Sequence, residues 1–276
     1  MPPKMMKNVP VNAHKTERSV AESQTTGFRV VVILANCGLK IGRDGLVDAY
    51  DRGVSTGPVV NDSVRDFRPD VVHQCLLALY DSDLAVSGGL QVFMCTTQGK
   101  TIELAPELRP PRTYSRFKGL MENLLRDGEI LSSDGRRLLH VMKGSVWPMI
   151  PHGAKVLGLS NAPHATLQSA TETATECIQR PVGAELQGGL RGITGFFCVA
   201  CNDSGSLEGV DFITEERSLS PLPMTPHVMC LRLMEGFQFA HRRGARLSVS
   251  DGAKIAAAQA ARPEQTKPRV KRPRAE

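Results

Sequence analysis

Phe28 to Ala35 is an unbroken apolar run, the pattern of a strand buried on both faces of a parallel sheet. Gly38, Gly42 and Gly45 follow it at a spacing that does not match a dinucleotide fingerprint, and a plain turn is expected there. After a loop-like stretch at 51–67, Arg68-Pro69-Asp70 opens a helix whose Val72, Cys75, Leu76 and Leu79 form an apolar stripe. Asp70 is placed to cap or start that helix, and His73 is read as a helix-face residue. Leu90 to Thr96 and Thr101 to Leu104 predict two strands around a Gln98-Gly99 turn. Phe117, Leu120, Met121, Leu124 and Leu125 then recur with helical spacing behind Thr113, a candidate cap. Short strands are expected at Leu138–Met142, Lys155–Ser160, Ile193–Ala200 and Val210–Ile213. The last helix starts at Thr225 and Pro226 and carries Val228, Cys230, Leu231, Leu233, Met234 and Phe237 on a broad apolar face. Strands alternating with helices predict an α/β domain with a mostly parallel sheet.

The flanks behave differently. Residues 1–27 are rich in Lys, Ser and Thr without periodicity, and the chain beyond Arg243 is rich in Ala, Pro, Lys and Arg, ending Pro-Arg-Val-Lys-Arg-Pro-Arg before its last two residues. One folded domain at 28–243 is therefore expected between a disordered arm, 1–27, and a disordered basic tail, 244–276. That tail reads equally as a nuclear address, an RNA-binding arm or a solubilising segment. The net charge is +6 overall, +2 over 1–27 and +7 over 242–276, which leaves about −3 for the middle. Any affinity of the folded part for nucleic acid must then come from a local patch. Seven cysteines, an odd number mostly within apolar runs, argue for a reducing compartment rather than a disulfide framework. Cys198-x-x-Cys201 has zinc-like spacing without a second pair, so a buried strand end is expected there and no metal site. No apolar stretch approaches a membrane span, and no membrane partner is expected.

The local patch is Arg-Pro-Pro-Arg-Thr-Tyr-Ser-Arg-Phe at 109–117. Pro110 and Pro111 hold the loop extended, and Arg109, Arg112 and Arg116 gather at a helix start, where the positive dipole end disfavours cations unless an anion joins them. A phosphate suits both the free N–H groups and the guanidinium forks. The alternative is a solvated turn with local salt bridges to Glu107 and Glu122.

These motifs carry a resemblance. Arg68-Pro-Asp-Val-Val-His-Gln74, Asp81-Ser82, Ile102-Glu103, the arginine stretch 109–117 and Ser218-Leu-Ser-Pro-Leu-Pro223 closely resemble the SPOUT-class small-subunit rRNA pseudouridine N1-methyltransferases of the EMG/NEP family, over about 28–241. The resemblance implies a mostly parallel SPOUT sheet with a C-terminal trefoil knot. It also implies a homodimer, methyl transfer from S-adenosyl-L-methionine to small-subunit rRNA, and work among pre-ribosomal assembly factors in the nucleus and nucleolus, or in an organellar matrix. Residue by residue, it places Arg68 and Asp70 at the target base as catalytic groups, and Arg68, Arg109, Arg112 and Arg116 on the RNA. A carboxylate at Asp70 would accept or orient the ring N–H proton, and arginines would stabilise charge on the neighbouring carbonyl oxygens.

The resemblance puts the cofactor on Leu159, on two loop positions, Ala200 and Gly205, and on Leu219, Ser220, Pro221, Leu222, Pro223 and Met224. The family has glycine where this chain has Ala200, a more apolar loop than Cys201-Asn-Asp-Ser204, a small residue at Pro226, and an acidic residue in the Ala35-Asn36-Cys37 exit. A methyl group at position 200 is expected to narrow the pocket and weaken cofactor binding by about 1–3 kcal/mol. Two functional readings follow: an active methyltransferase, or an RNA-binding assembly factor of the same fold with weakened or lost catalysis. A small-molecule α/β enzyme is a third, and explains Arg68-Pro-Asp poorly.

Overall fold

A computed structural model describes residues 29–43, 45–50, 66–179 and 193–247. The arm at 1–27, most of the 51–67 loop and the tail from 248 onward lie outside the described residues.

The apolar run near the N-terminus becomes strand β1, Arg29–Cys37, at the centre of a nine-stranded sheet. On one side it pairs in parallel with β4, Leu90–Thr96, and beyond that lie β5, Thr101–Leu104, then β7, Arg137–Met142, and β6, Glu129–Leu131, all antiparallel. On the other side β10, Ile193–Ala200, pairs in parallel with β1, followed by β8, Val156–Leu159, β11, Glu215–Ser218, and β9, Thr166–Leu167. A small hairpin, β2 at Ile41–Gly42 and β3 at Gly45–Leu46, stands apart. Gly38 has no room for a side chain, because a Cβ there would collide with the carbonyl oxygen of Asp66.

β1 is buried on both faces, and its alternate residues enter two separate cores. Val30, Val32 and Leu34 join the helices α1, Pro69–Tyr80, α3, Tyr114–Asp127, α4, Ala170–Gln179, and α5, Pro226–Leu247. Val31, Ile33 and Ala35 join Phe93, Phe196, Cys198 and Ala200 beneath the irregular segments around Val146–Ala154 and Leu207–Phe212. Cys198 and Cys201 are both fully buried, at and just past the end of β10. A four-residue helix α2, Asp83–Val86, capped by Ser82, closes the turn after α1.

Several expectations are corrected. Val210–Ile213 is not a strand: Phe212 is buried in the second core while the chain turns, and Thr214 bonds Val156 through backbone and hydroxyl before pairing starts at Glu215. Neither Asp70 nor Thr113 caps its helix through its side chain; Arg68 holds the cap position of α1, and Asp70 sits in the first turn. Helix α5 runs four residues past the expected boundary at 243.

Candidate functional site

The start of α1 gathers charged and aromatic side chains around Arg68. Arg68 donates from Nε and Nη2 to the two carboxylate oxygens of Asp70, at 2.8 and 2.7 Å. Its guanidinium also lies 4.8 Å over the ring of Tyr50, and Nη1 pairs with Asp203 from the loop after β10. Burial acts to raise the Asp70 carboxyl, but hydrogen bonding and charge from Arg68 outweigh it, and the pKa lies below the ordinary aspartate value. Asp70 is therefore an ionised acceptor at neutral pH.

The arginine loop runs alongside α1, which is about 18 Å long at 1.5 Å per residue. In the middle of the helix, buried His73 brings Nε2 within 2.6 Å of the Pro111 carbonyl oxygen, which places the proton on that nitrogen, and its ring stacks on Phe117 at 4.7 Å. At the far end, Arg112 pairs with Asp81 at 2.5 Å. Arg109, Arg112 and Arg116 are all exposed. The salt bridges of the alternative reading are not the ones formed, since Glu107 pairs with Arg136 and Glu122 accepts the Leu46 N–H. Thr113 sits at the cap position of α3 in extended backbone without a side-chain cap bond, and the helix start faces these arginines.

The second half of the site lies at the carboxyl ends of the parallel strands, where open α/β sheets bind ligands. Asn161, just past β8, donates to the Met224 carbonyl and accepts from the Met224 N–H, both at 2.9 Å. This ties the segment 219–224 to the exit of β8. A cleft of about 450 Å3 opens on one side of Asn161-Ala162, against Ser204, Gly205 and Leu207. A cleft of about 220 Å3 opens on the other, against Ser220, Pro221, Leu222 and Pro223. Leu219 and Met224 line a neighbouring hollow toward α5, and Leu159 is buried with only its strand end near the clefts. Gly205 has φ +65, and a Cβ there would stand 3.2 Å from Asn161 Nδ2, so the cradle needs glycine. The larger cleft falls within the roughly 300–1,000 Å3 usual for small-molecule and cofactor pockets, and the smaller one below it.

Ala200, like Leu159, does not line the clefts described. It is 1% exposed, in register with Ala35, and its methyl belongs to the second core, so it does not narrow the cleft. At the β1 exit, Asn36 adopts φ +52 and reaches the carbonyls of Ser206 and Glu208, both at 3.4 Å. Three residues that sequence reasoning missed complete the site: Tyr50, Asp203, and buried Asp48, which accepts from Tyr114 of the arginine helix and from the Tyr50 N–H. The one available signal was Asp48 standing as a single charge in an otherwise apolar stretch.

The fold is similar to that of a solved Archaeoglobus fulgidus Nep1 bound to S-adenosylhomocysteine, with a TM-score of 0.59 and 20% identity over 79% of this chain and all of that one. Residues 32–238 match the EMG1/NEP1 methyltransferase family, and the chain belongs to it. The Drosophila melanogaster protein named ribosomal RNA small subunit methyltransferase NEP1 is 32% identical over 62% of this chain and 65% of its own length. The Schizosaccharomyces pombe relative, mra1, is 30% identical over 80% of this chain and 60% of its own. The chain thus spans less than two thirds of either relative. A Caenorhabditis elegans relative, nep-1, is 28% identical and covered over 85% of its length.

Proposed function

We propose that the chain is an S-adenosylmethionine-dependent methyltransferase acting on the N1 nitrogen of pseudouridine in small-subunit rRNA. The observation that carries this reading is the meeting of the two half-sites: Arg68, beside Asp70, touches Asp203 of the loop that also borders the cleft at Gly205. A substrate base at Arg68 and a methyl donor in the cleft would therefore be neighbours. The cofactor supplies a methyl group on a sulfonium centre. The protein's part is to hold the base, to accept the N1 proton at the ionised Asp70, and to offset charge on the ring carbonyls with Arg68. Asn161, Gly205 and the 219–224 segment would hold the cofactor, while Arg109, Arg112 and Arg116 would take backbone phosphates along α1.

The same reading carries a C-terminal trefoil knot, supported by the return of the 219–224 segment to Asn161. It also carries a homodimer, supported by Leu231 and Phe239, which α5 leaves 46% and 52% exposed. Action among pre-ribosomal assembly factors in the nucleolus or nucleus follows from the substrate proposed. Sedimentation at micromolar concentration should give twice the 30.0 kDa chain mass.

The inactive assembly-factor reading draws support from Asp203, which occupies Arg68. Calorimetric titration with S-adenosylhomocysteine separates the two. Saturable binding supports the methyltransferase; no binding at millimolar concentration, with the rRNA hairpin still held, supports the assembly factor.

A further inference from the structure

The contact between Arg68 and Asp203 leaves Arg68 with no clear edge for a substrate. Asp70 fills the Nε–Nη2 edge of the guanidinium, and Asp203 takes Nη1, which the other bidentate edge requires. Tyr50 covers one of its faces. Two carboxylates therefore face one guanidinium, and the spot where an RNA group must dock carries a surplus negative charge. The two acids are not equivalent. Asp70 is 27% exposed and lies in the first turn of α1, while Asp203 is 57% exposed at the tip of a loop.

That loop is a tight turn, braced within itself and by Asn36 of β1. Asn202 donates to the Ser206 carbonyl at 3.0 Å and accepts from its N–H at 3.1 Å, with Gly205 left-handed between them. The turn presents Asp203 to Arg68, and the neighbouring Ser204, Gly205 and Ser206 border the larger cleft. A ligand filling the cleft would lie against the same turn.

We propose that Asp203 is a positioning residue acting through Arg68. It holds the guanidinium in place until RNA displaces it, and cleft occupancy loosens its hold, so that the methyl donor and the RNA site are coupled through this ion pair. The inference rests on the methyltransferase reading above. In it, Asp203 competes with the target nucleotide, and the order of binding is cofactor first.

The experiment measures fluorescence anisotropy of a pseudouridine-containing hairpin with the full chain as wild type, Asp203→Asn, Arg68→Ala and the double variant, each with and without S-adenosylhomocysteine. Without the cofactor product, Asp203→Asn should bind the hairpin roughly two- to fivefold more tightly, the scale of an exposed ion pair. Adding the product should tighten wild-type binding and leave Asp203→Asn nearly unchanged. In turnover, KM for the hairpin should fall in Asp203→Asn while kcat persists. The gain should vanish in the Arg68→Ala background. An equal gain there means general charge repulsion and overturns the proposal, as does unchanged or weaker binding by Asp203→Asn. Wild type that binds no hairpin overturns the RNA reading itself.

Discussion

Asn161 and Met224, sixty-three positions apart, exchange two backbone-to-side-chain hydrogen bonds of 2.9 Å, and this pair fixes the wall between the two clefts. The amide acts as a peptide unit would, pairing the carbonyl and N–H of a loop that has no strand to pair with. Asn161→Ala leaves both Met224 groups without that partner, at a cost of about 1–3 kcal/mol. Affinity for S-adenosylhomocysteine should fall about tenfold or more, at 1.4 kcal/mol per decade. Hairpin binding should survive. Calorimetry and anisotropy on one preparation check both.

Ala200→Gly should not improve cofactor binding. The methyl group lies in the core with Ala35 rather than in the cleft, so its removal opens no space for the ligand. Loss of the methyl and the added freedom of glycine in a strand should instead lower stability by about 1 kcal/mol. Thermal melting and calorimetry with S-adenosylhomocysteine test this; tighter binding by the glycine variant would show that the methyl does reach the ligand.

Arg112→Ala should flatten the salt dependence of hairpin binding by about 0.7 in slope for one lost single-strand phosphate contact. For Arg112 to take a phosphate, its present partner Asp81 has to yield it. Filter binding at several salt concentrations measures the slope, and an unchanged slope would remove Arg112 from the RNA surface.

The Arg68–Asp70 pair should leave a signature in acid. A carboxyl whose folded pKa lies below its unfolded value stabilises the fold above the unfolded pKa, near 3.9, and loses that contribution as pH falls through the lower folded value. The melting temperature of wild type should exceed that of Asp70→Asn at neutral pH, and the gap should close below about pH 4. A gap constant from pH 7 to pH 3 would mean that the pairing does not persist in solution.

The residues that could be read in advance were those whose role is periodic. β1, β4 and β10 are largely apolar runs, β5 alternates beside the Gln98-Gly99 turn, and α1 and α3 show clear stripes, so the four strands and the two helix starts fall at or within two residues of their expected positions. Strand β11 could not be read, because it is Glu-Glu-Arg-Ser; its buried Arg217 is accommodated by Glu176, Glu215 and Gln168, partners that only the fold assembles. Helix α4 was hidden by its threonines, one of which, Thr173, is fully buried with its hydroxyl on Gln168. Arg68, Asp70 and the three loop arginines were legible through their clustering and resemblance. Tyr50 and Asp203 were not, since each is a single loop residue that matters only because the chain brings it to Arg68.

The account's central claim is that Asp70, held by Arg68, accepts a proton at a site where a methyl group arrives. Mass spectrometry of hairpins incubated with the protein and S-adenosylmethionine tests it most directly. A pseudouridine hairpin should gain one methyl group with wild type and none with Asp70→Asn, and the matching uridine hairpin should gain none. An unmodified pseudouridine hairpin, from wild type that demonstrably binds both hairpin and S-adenosylhomocysteine, would contradict the claim.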